Sequence, residues 1–248
     1  MLVMMMTHWL LLLLLTPSSA GGLALPPPAR PRLSVSVRGP TKVETGGSVL
    51  LTCSASGSPL PRVAWYRDSL FLAHLEDQED LLEGDPTSLG ETVARLRLSC
   101  LREEEGGEYE CRAVSGRHQV SALTRLTVAG GQPGLCTEPA RPEISVWSSA
   151  VMAEQGSSLT LPCRTGRPGL NTNNINTTTS WTNPRGEQVE GQRGDRLRVS
   201  QSGDLEISGL AWADMGQYTC SVSNSAGTDS IQTFLYPLAV PSTTNNNK

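Results

Sequence analysis

The sequence predicts an all-β protein made of two tandem β-sandwiches. A motif of spaced leucines, an acidic residue, Gly, Tyr and Cys occupies residues 96–111 and returns about 109 residues later, at 205–220. Upstream of each copy lie a further cysteine and a tryptophan, in stretches where apolar and polar residues alternate as they do in half-buried strands. At 248 residues, the chain has room for two modules of this kind.

In the first module, residues 48–53 alternate so that Val49, Leu51 and Cys53 share one face, which predicts a strand ending in a buried cysteine. Trp65 follows after a Gly-Ser-Pro break, and the last two strands are predicted over 109–113 and within 120–128. A tryptophan packed on a disulfide between the two sheets, with a tyrosine two residues before the second cysteine, is typical of an immunoglobulin-like sandwich. We therefore predict a Cys53–Cys111 bond, a core tryptophan at Trp65 and a tyrosine corner at Tyr109.

The second module repeats this arrangement. Cys163 and Cys220 are its predicted disulfide, Trp181 its core tryptophan and Tyr218 its tyrosine corner. The Y-x-C-x-x-x-N-x-x-G pattern that ends at Gly227 is typical of intermediate (C2-type) immunoglobulin-like domains. We place the first domain at 32–129, the linker at 130–140, the second domain at 141–238 and a polar tail at 239–248.

The first twenty residues have the pattern of a secretory signal peptide. Residues 9–15 form an apolar run too short to span a bilayer, and it ends in small residues up to Ala20. The alternative is a retained membrane anchor. The net charge of −4 argues against nucleic acid as a partner, and no other long apolar run suggests membrane insertion. We expect a secreted, extracellular protein.

An oxidising compartment implies disulfides, and two cysteines remain after the pairs inside each sandwich. Cys100 aligns with Gly209 of the second module and is expected to point outward near the corner before strand F. Cys136 follows the last strand of the first module, which ends at the same pole. We predict a Cys100–Cys136 bond that ties the linker to the first module; the alternatives are free thiols or pairing between chains.

No pattern in the chain is typical of an enzyme. The three histidines are scattered, nucleophile motifs are absent, and the cysteines have disulfide roles, so neither a metal nor another cofactor is predicted. We expect a binding protein. Asn176 begins the one N-glycosylation sequon, in an insertion of the second module.

Aromatic residues make up only 4% of the chain, so those that the sandwich cores leave over are candidates for partner binding. Strand parity places Trp147 opposite Ile144 and Val146, and it places Phe234 and Tyr236 on one face of the last strand. The alternative is that they pack against the first module. Phe71 lies in a long segment that is either edge strands or an apolar contact surface. The candidate contact residues are Trp147, Trp212, Phe234, Tyr236 and Phe71.

Residues 203–208, 211–220 and 233–237 resemble the insect neural/ectodermal development factor family, the secreted two-immunoglobulin insulin-binding proteins of arthropods. Trp212 before Asp214-Met215-Gly216 and the Thr-Phe-x-Tyr-Pro ending carry the resemblance, which covers about 141–238; the first module matches in architecture only. The resemblance implies binding of insulin-like peptides outside the cell and their withdrawal from the receptor. The alternative function is an extracellular adhesion or axon-guidance module. The oligomeric state stays open.

Overall fold

The computed structural model describes residues 33–73, 87–131, 141–165, 177–191 and 195–240. The strands of module one are β1 Ser34–Arg38, β2 Lys42–Val43, β3 Val49–Gly57, β4 Arg62–Arg67, β5 Leu70–Ala73, β6 Leu89–Leu98, β7 Gly107–Ser115 and β8 His118–Val128. The strands of module two are β9 Ile144–Glu154, β10 Leu159–Leu161, β11 Cys163–Thr165, β12 Thr178–Thr182, β13 Leu197–Val199, β14 Leu205–Ile207, β15 Gly216–Asn224 and β16 Gly227–Leu238.

Module one is a sandwich of two sheets, β1-β3-β6 and β2-β8-β7-β4-β5. Strand β3 buries every second residue, which is the alternation that the sequence predicts. The Cys53–Cys111 disulfide crosses between the sheets with 6.3 Å between Cα atoms. Trp65 is fully buried, and its indole N–H donates to the carbonyl of Ala94 at 3.4 Å. In the chain-entropy model, the Cys53–Cys111 disulfide, which closes a loop across a sequence separation of 58, stabilises the fold by about 4 kcal/mol.

Module two repeats the sandwich, with sheets β10-β14-β13 and β9-β16-β15-β12. The Cys163–Cys220 disulfide spans 6.5 Å between Cα atoms, and the buried Trp181 donates to the carbonyl of Gly203 at 2.8 Å. The prediction of an all-β chain with two immunoglobulin-like sandwiches is confirmed. Residues 159–165 form two short strands, β10 and β11, because Pro162 between them has no N–H to donate to a ladder.

Both tyrosines lie where the sequence places them. The Tyr109 hydroxyl donates to the carbonyl of Glu105 at 2.8 Å, which closes the corner before β7. Tyr218 is buried, and desolvation together with the nearby Asp214 carboxylate raises its pKa to about 12. In the hairpin that follows, the Asn224 side chain accepts from the backbone N–H groups of Ala226 and Gly227 at 2.8 and 3.2 Å. That contact explains why the pattern requires Asn and Gly at this spacing.

The two modules share one continuous sheet, which the sequence did not predict. Strand β6 of module one pairs antiparallel with β9 of module two, and β9 also pairs with β16, so the order runs β1-β3-β6-β9-β16-β15-β12. Strand β9 takes the place beside β6 that a fourth strand of the same sheet, strand D, occupies in a complete sandwich.

Several predictions concern residues outside the described ranges. They are the signal sequence 1–20, most of the linker, residues 241–248 of the tail, and Asn176. Cys100 is disulfide-bonded, but its predicted partner Cys136 also lies outside the described residues, so the pairing stays a prediction.

Candidate protein-binding surface

An exposed apolar surface crosses the joint between the modules. In the continuous sheet, Leu89 of β6 is opposite Met152 of β9, which is opposite Tyr236 of β16. Residues opposite one another on neighbouring strands share a face, and strands lie about 4.8 Å apart, so this row spans about 10 Å. Met152 and Tyr236 are 37% and 39% exposed. A large apolar side chain is therefore presented by each of three adjacent strands.

A second row runs beside the first. Glu91 of β6 is opposite Ala150 of β9, and Ala150 is opposite Phe234 of β16. Phe234 is 45% exposed and lies two positions from Tyr236, on the same face of its strand. The Ser149 hydroxyl donates to the Glu91 carboxylate across the joint. The polar end of this row thus lies in module one and its apolar end in module two.

Trp212 extends the surface beyond the sheet. It belongs to the 3₁₀ turn Trp212–Asp214, is half-exposed, and packs its ring edge-on against Tyr236 with 5.7 Å between centroids. We call Leu89, Met152, Trp212, Phe234 and Tyr236 together the composite face. Its apolar side chains come from both modules.

The turn that carries Trp212 is held by an ion pair between the buried Asp214 and the half-exposed Arg196. The Asp214 carboxylate accepts two hydrogen bonds from Arg196, at 2.6 and 2.7 Å, and one from the backbone N–H of Ala211 at 2.8 Å. Burial by itself raises the pKa of Asp214, but these hydrogen bonds outweigh it and hold the pKa below its usual value. The carboxylate stays charged at neutral pH and fixes the turn, so the orientation of Trp212 is set before any partner arrives. Sequence analysis missed this pair, since Arg196 is distant from Asp214 in the chain.

Trp147 does not belong to the composite face, and the prediction that it lies outward is wrong. It is 9% exposed and packs in the core of module two with Ile144, whereas Val146 packs in the core of module one. A register shift between Arg164 and Thr165 breaks simple alternation along β9, so Trp147 and Ile144 enter the same core. Pairing on both edges of β9 completes the burial. The alternative raised from the sequence, packing against module one, describes only the contact that Trp147 makes with Arg95 of β6.

The joint exchanges side chains between the modules. Val93 of β6 packs in the core of module two, and Val146 of β9 packs in the core of module one. The Arg95 guanidinium lies 4.3 Å from the centroid of the Trp147 ring, and Arg97 forms a two-bond ion pair with Glu143. Burying one valine contributes about 1.5–3 kcal/mol. Strand pairing, packing and charge thus all stabilise one arrangement of the two modules.

Phe71 lies in a different sheet from the other candidates. It is 40% exposed on β5, and its ring meets that of Tyr66 edge-on at 5.7 Å between centroids. The neighbouring strands β4, β7 and β8 continue this row through Tyr66, Glu110 and Leu123. The five candidates therefore divide into three residues on the composite face, one buried at the joint and one on the second sheet of module one.

Neither a metal centre nor a membrane span is found in the described residues. Within those ranges, no three His, Cys, Asp or Glu side chains come together in a way that could hold an ion. Their helical segments also lack the length and apolar content needed to cross a bilayer.

Comparison with known proteins agrees with the architecture. The immunoglobulin domain model matches residues 30–115 and 141–224. Zwei Ig domain protein zig-2 of Caenorhabditis elegans is 28% identical over 79% of this chain and 81% of its own length. Neural/ectodermal development factor IMP-L2 of Drosophila melanogaster is 29% identical over 80% of this chain and 74% of its own. The crystal structure of neural ectodermal development factor IMP-L2 superposes with a TM-score of 0.63 at 25% identity, over 85% of this chain and 97% of that one. With both modules matched by the family model, the chain belongs to the immunoglobulin-domain family.

Proposed function

We propose that this protein is an extracellular binder of insulin-like peptides, which it withholds from their receptor by docking them on the composite face. The observation that carries the proposal is the apolar row Leu89–Met152–Tyr236, in which Leu89 is half-buried and Met152 and Tyr236 are exposed, and which crosses from one module to the other. The family resemblance of module two and the similarity to IMP-L2 over most of both chains support the choice of ligand.

The chemistry of the face suits a peptide hormone with an apolar receptor-binding surface. Large aromatic side chains supply contact area at little cost in conformational entropy, and they dominate the energetics of protein interfaces. Exposed apolar side chains gathered in one patch are typical of interaction sites. Because the joint fixes both modules before binding, few groups have to be ordered when the ligand docks.

A polar group at the rim of the face adds direction to the interaction. Glu91 lies one row from Leu89, and its carboxylate is held by the Ser149 hydroxyl. A basic side chain of the peptide placed over module one would meet this carboxylate while apolar residues meet Phe234 and Tyr236. Such charges set orientation and association rate more than affinity.

The test is a calorimetric titration of the purified chain with insulin and related peptides, using single alanine variants. Phe234→Ala and Tyr236→Ala should each weaken binding by about 1–4 kcal/mol and leave the unfolding midpoint nearly unchanged. Leu123→Ala is the matched control, because Leu123 is an exposed apolar residue on the other sheet of module one. Equal affinity of all three variants and the parent chain would move the site away from the composite face, and no binding at micromolar peptide would refute the hormone itself.

Withholding the hormone is tested separately in a receptor-activation assay. Excess binding protein should suppress receptor phosphorylation by a limiting amount of peptide, and the Tyr236→Ala variant should suppress it less. Undiminished phosphorylation in the presence of bound peptide would mean that the complex still engages the receptor.

A second function, cell-surface adhesion, is favoured by a separate observation. Leu70 and Leu123 are 71% and 59% exposed on the second sheet of module one, where the Phe71 row crosses four strands. Glu110 lies within this row, and hydrogen bonding to Arg112, two positions along β7, lowers the pKa of Glu110. A cell-aggregation assay distinguishes the two functions: aggregation that Leu123→Ala abolishes would indicate adhesion.

A further inference from the structure

We propose that the cleft between the modules is a binding site for a sulfated or carboxylated polysaccharide chain, separate from the composite face. The cleft has a volume of about 370 Å³ and is lined by Leu50, Arg95, Arg97, Arg141, Pro142, Glu143 and Asp229. Three of these seven residues are arginines, and they come from both modules. The size lies at the lower end of the range for small-ligand sites.

The carboxylates in the cleft are already engaged. Glu143 accepts both hydrogen bonds of the Arg97 fork, and Asp229 accepts the backbone N–H of Ile144 at 2.8 Å. Arg95 and Arg141, by contrast, have no carboxylate partner among the described residues. Two guanidinium groups therefore remain available to an anion that enters the cleft.

Arg95 is also held in place for such a ligand. Its guanidinium lies 4.3 Å from the centroid of the buried Trp147 ring. Stacking on an aromatic ring occupies the flat side of a guanidinium and leaves the N–H groups along its edge free to bind sulfate or carboxylate in a two-point fashion. An arginine held in this way loses less conformational entropy on binding than one that is free to rotate.

The arginines continue as an array beyond the cleft. Arg38 of β1 and Arg95 of β6 are both opposite Thr52 of β3, so they share one face about 10 Å apart, and Arg97 lies about 7 Å further along β6. We call Arg38, Arg95, Arg97 and Arg141 the guanidinium cluster. Arg97 keeps its ion pair with Glu143, so Arg38, Arg95 and Arg141 are the members left for a ligand. One small anion contacts one or two guanidinium groups, so occupying all three requires a ligand with several negative groups along its length.

The backbone around the cluster favours a polysaccharide over an acidic peptide. Strand β3 is paired with β1 and β6, and β6 is paired with β9 from Leu89 to Ala94, so a peptide that adds a strand would find a free edge of β6 only over 95–98. That stretch is shorter than a typical strand. What remains accessible is guanidinium groups beside the apolar side chains of Leu50 and Pro142. Anionic sugars combine charged groups with apolar ring faces, and they match this lining.

The experiment measures binding of size-defined heparin fragments to the full chain at physiological salt. The Arg95→Gln/Arg141→Gln double variant should lose roughly tenfold or more in affinity, and Arg38→Gln, which lies outside the cleft, should lose less. The matched control is Arg117→Gln/Arg125→Gln, which removes the same charge from exposed positions on the other sheet of module one. Thermal unfolding of each variant shows whether replacing Arg95, which contacts Trp147, destabilises the fold. The single variant Arg141→Gln changes only an exposed side chain, so any loss of heparin binding in it is a loss of binding and not of fold.

Three results would overturn the proposal. They are absence of heparin binding by the parent chain, an equal loss in the control variant, and unchanged binding in the cluster double variant. Titration of the same variants with an insulin-like peptide separates this site from the hormone site: a cluster variant that loses the peptide but keeps heparin would assign the cleft to the peptide instead. Unchanged peptide affinity with lost heparin affinity is the expected result.

Discussion

Replacing Gly90 by alanine should open the joint between the modules. Gly90 lies on β6 opposite Val151, and a Cβ built on it would lie 2.2 Å from the carbonyl oxygen of Ala150 and 3.1 Å from Leu60. The nearer atom belongs to the backbone of β9 and cannot rotate away. Restoring an ordinary contact requires β9 to move by about 1 Å, which is enough to lengthen its hydrogen bonds to β6 beyond the usual range.

The size of the effect follows from the contacts that must be strained. Two ladder hydrogen bonds contribute about 1–3 kcal/mol together, and forcing an extra methyl group into a packed site costs about 1–3 kcal/mol. The lower backbone entropy of alanine in the unfolded chain returns about 0.5–1 kcal/mol. We expect a net loss of about 1–5.5 kcal/mol, concentrated at β6 and β9.

Hydrogen exchange of the backbone amides is the direct assay, because it reports opening at each strand separately. Amides of β6 and β9 should exchange much faster in Gly90→Ala, while β7 and β15 keep their protection. Gly57→Ala is the matched control: Gly57 pairs with Gly90, but its added Cβ would meet the side chains of Leu33 and Pro61 at 3.1 Å, and the nearest backbone atom, Leu33 Cα, lies at the ordinary distance of 3.5 Å. Unchanged protection of β9 in Gly90→Ala would refute the reasoning that close backbone approach at this glycine maintains the joint.

Four further predictions concern the core, the corner and the remaining disulfide. Trp147→Ala should lower the free energy of unfolding by about 3–5 kcal/mol, whereas Phe234→Ala should change it by less than about 1 kcal/mol; urea denaturation compares the two. Burial and the Asp214 carboxylate raise the pKa of Tyr218 to about 12, so the folded state holds the phenol proton more tightly than the unfolded chain does. The free energy of unfolding should therefore fall by about 2–3 kcal/mol between pH 10 and 12. Tyr218→Phe has no proton to lose there and should not show this fall. The pKa of Asp214 is lowered in the folded state, so its carboxylate stabilises the fold at neutral pH, and this stabilisation is lost as the pH falls through the pKa. Asp214→Asn should therefore be less stable than the parent chain at pH 7 and should lose less stability on acidification. Thermal unfolding at pH 7 and at acidic pH would show both effects. Peptide mapping without reduction should recover Cys100 linked to Cys136, and recovery of a chain dimer linked through Cys100 would contradict that pairing.

The sandwich cores could be predicted because their constraints are local. A strand with one buried face must alternate, as β3 does, and a cysteine, a tryptophan and a corner tyrosine at set spacings can be recognised in a single chain. The Asn224 turn is equally local, since its side chain bonds to backbone groups two and three residues later. The same local reasoning placed Phe234 and Tyr236 correctly on one exposed face of β16.

Trp147 and the joint could not be predicted by that reasoning. Whether an amphipathic strand lies at the edge of a sheet or inside it depends on what pairs with its free edge, and nothing in residues 144–154 identifies β6 as that partner. Strand β6 has ten residues, and nine of them pair with β3 inside module one, so its length gives no sign of an outside partner. Residues Leu89–Ala94 of β6 then pair with β9 on the other edge.

Strand β6 links the two proposed sites. Leu89 and Glu91 contribute to the composite face near one end of the strand, and Arg95 and Arg97 contribute to the guanidinium cluster near the other. Leu89 and Arg95 are six residues apart, which is about 20 Å along a strand. A standard protein interface buries about 800 Å² on each partner and extends over a similar distance, so a peptide hormone on the composite face would reach the border of the cluster without covering it. Coupling between the sites must then pass through the pairing of β6 with β9. Gly90→Ala, which strains that pairing beside Leu89, should therefore weaken peptide binding more than heparin binding, and the reverse order would mean that the sites do not depend on the joint in this way.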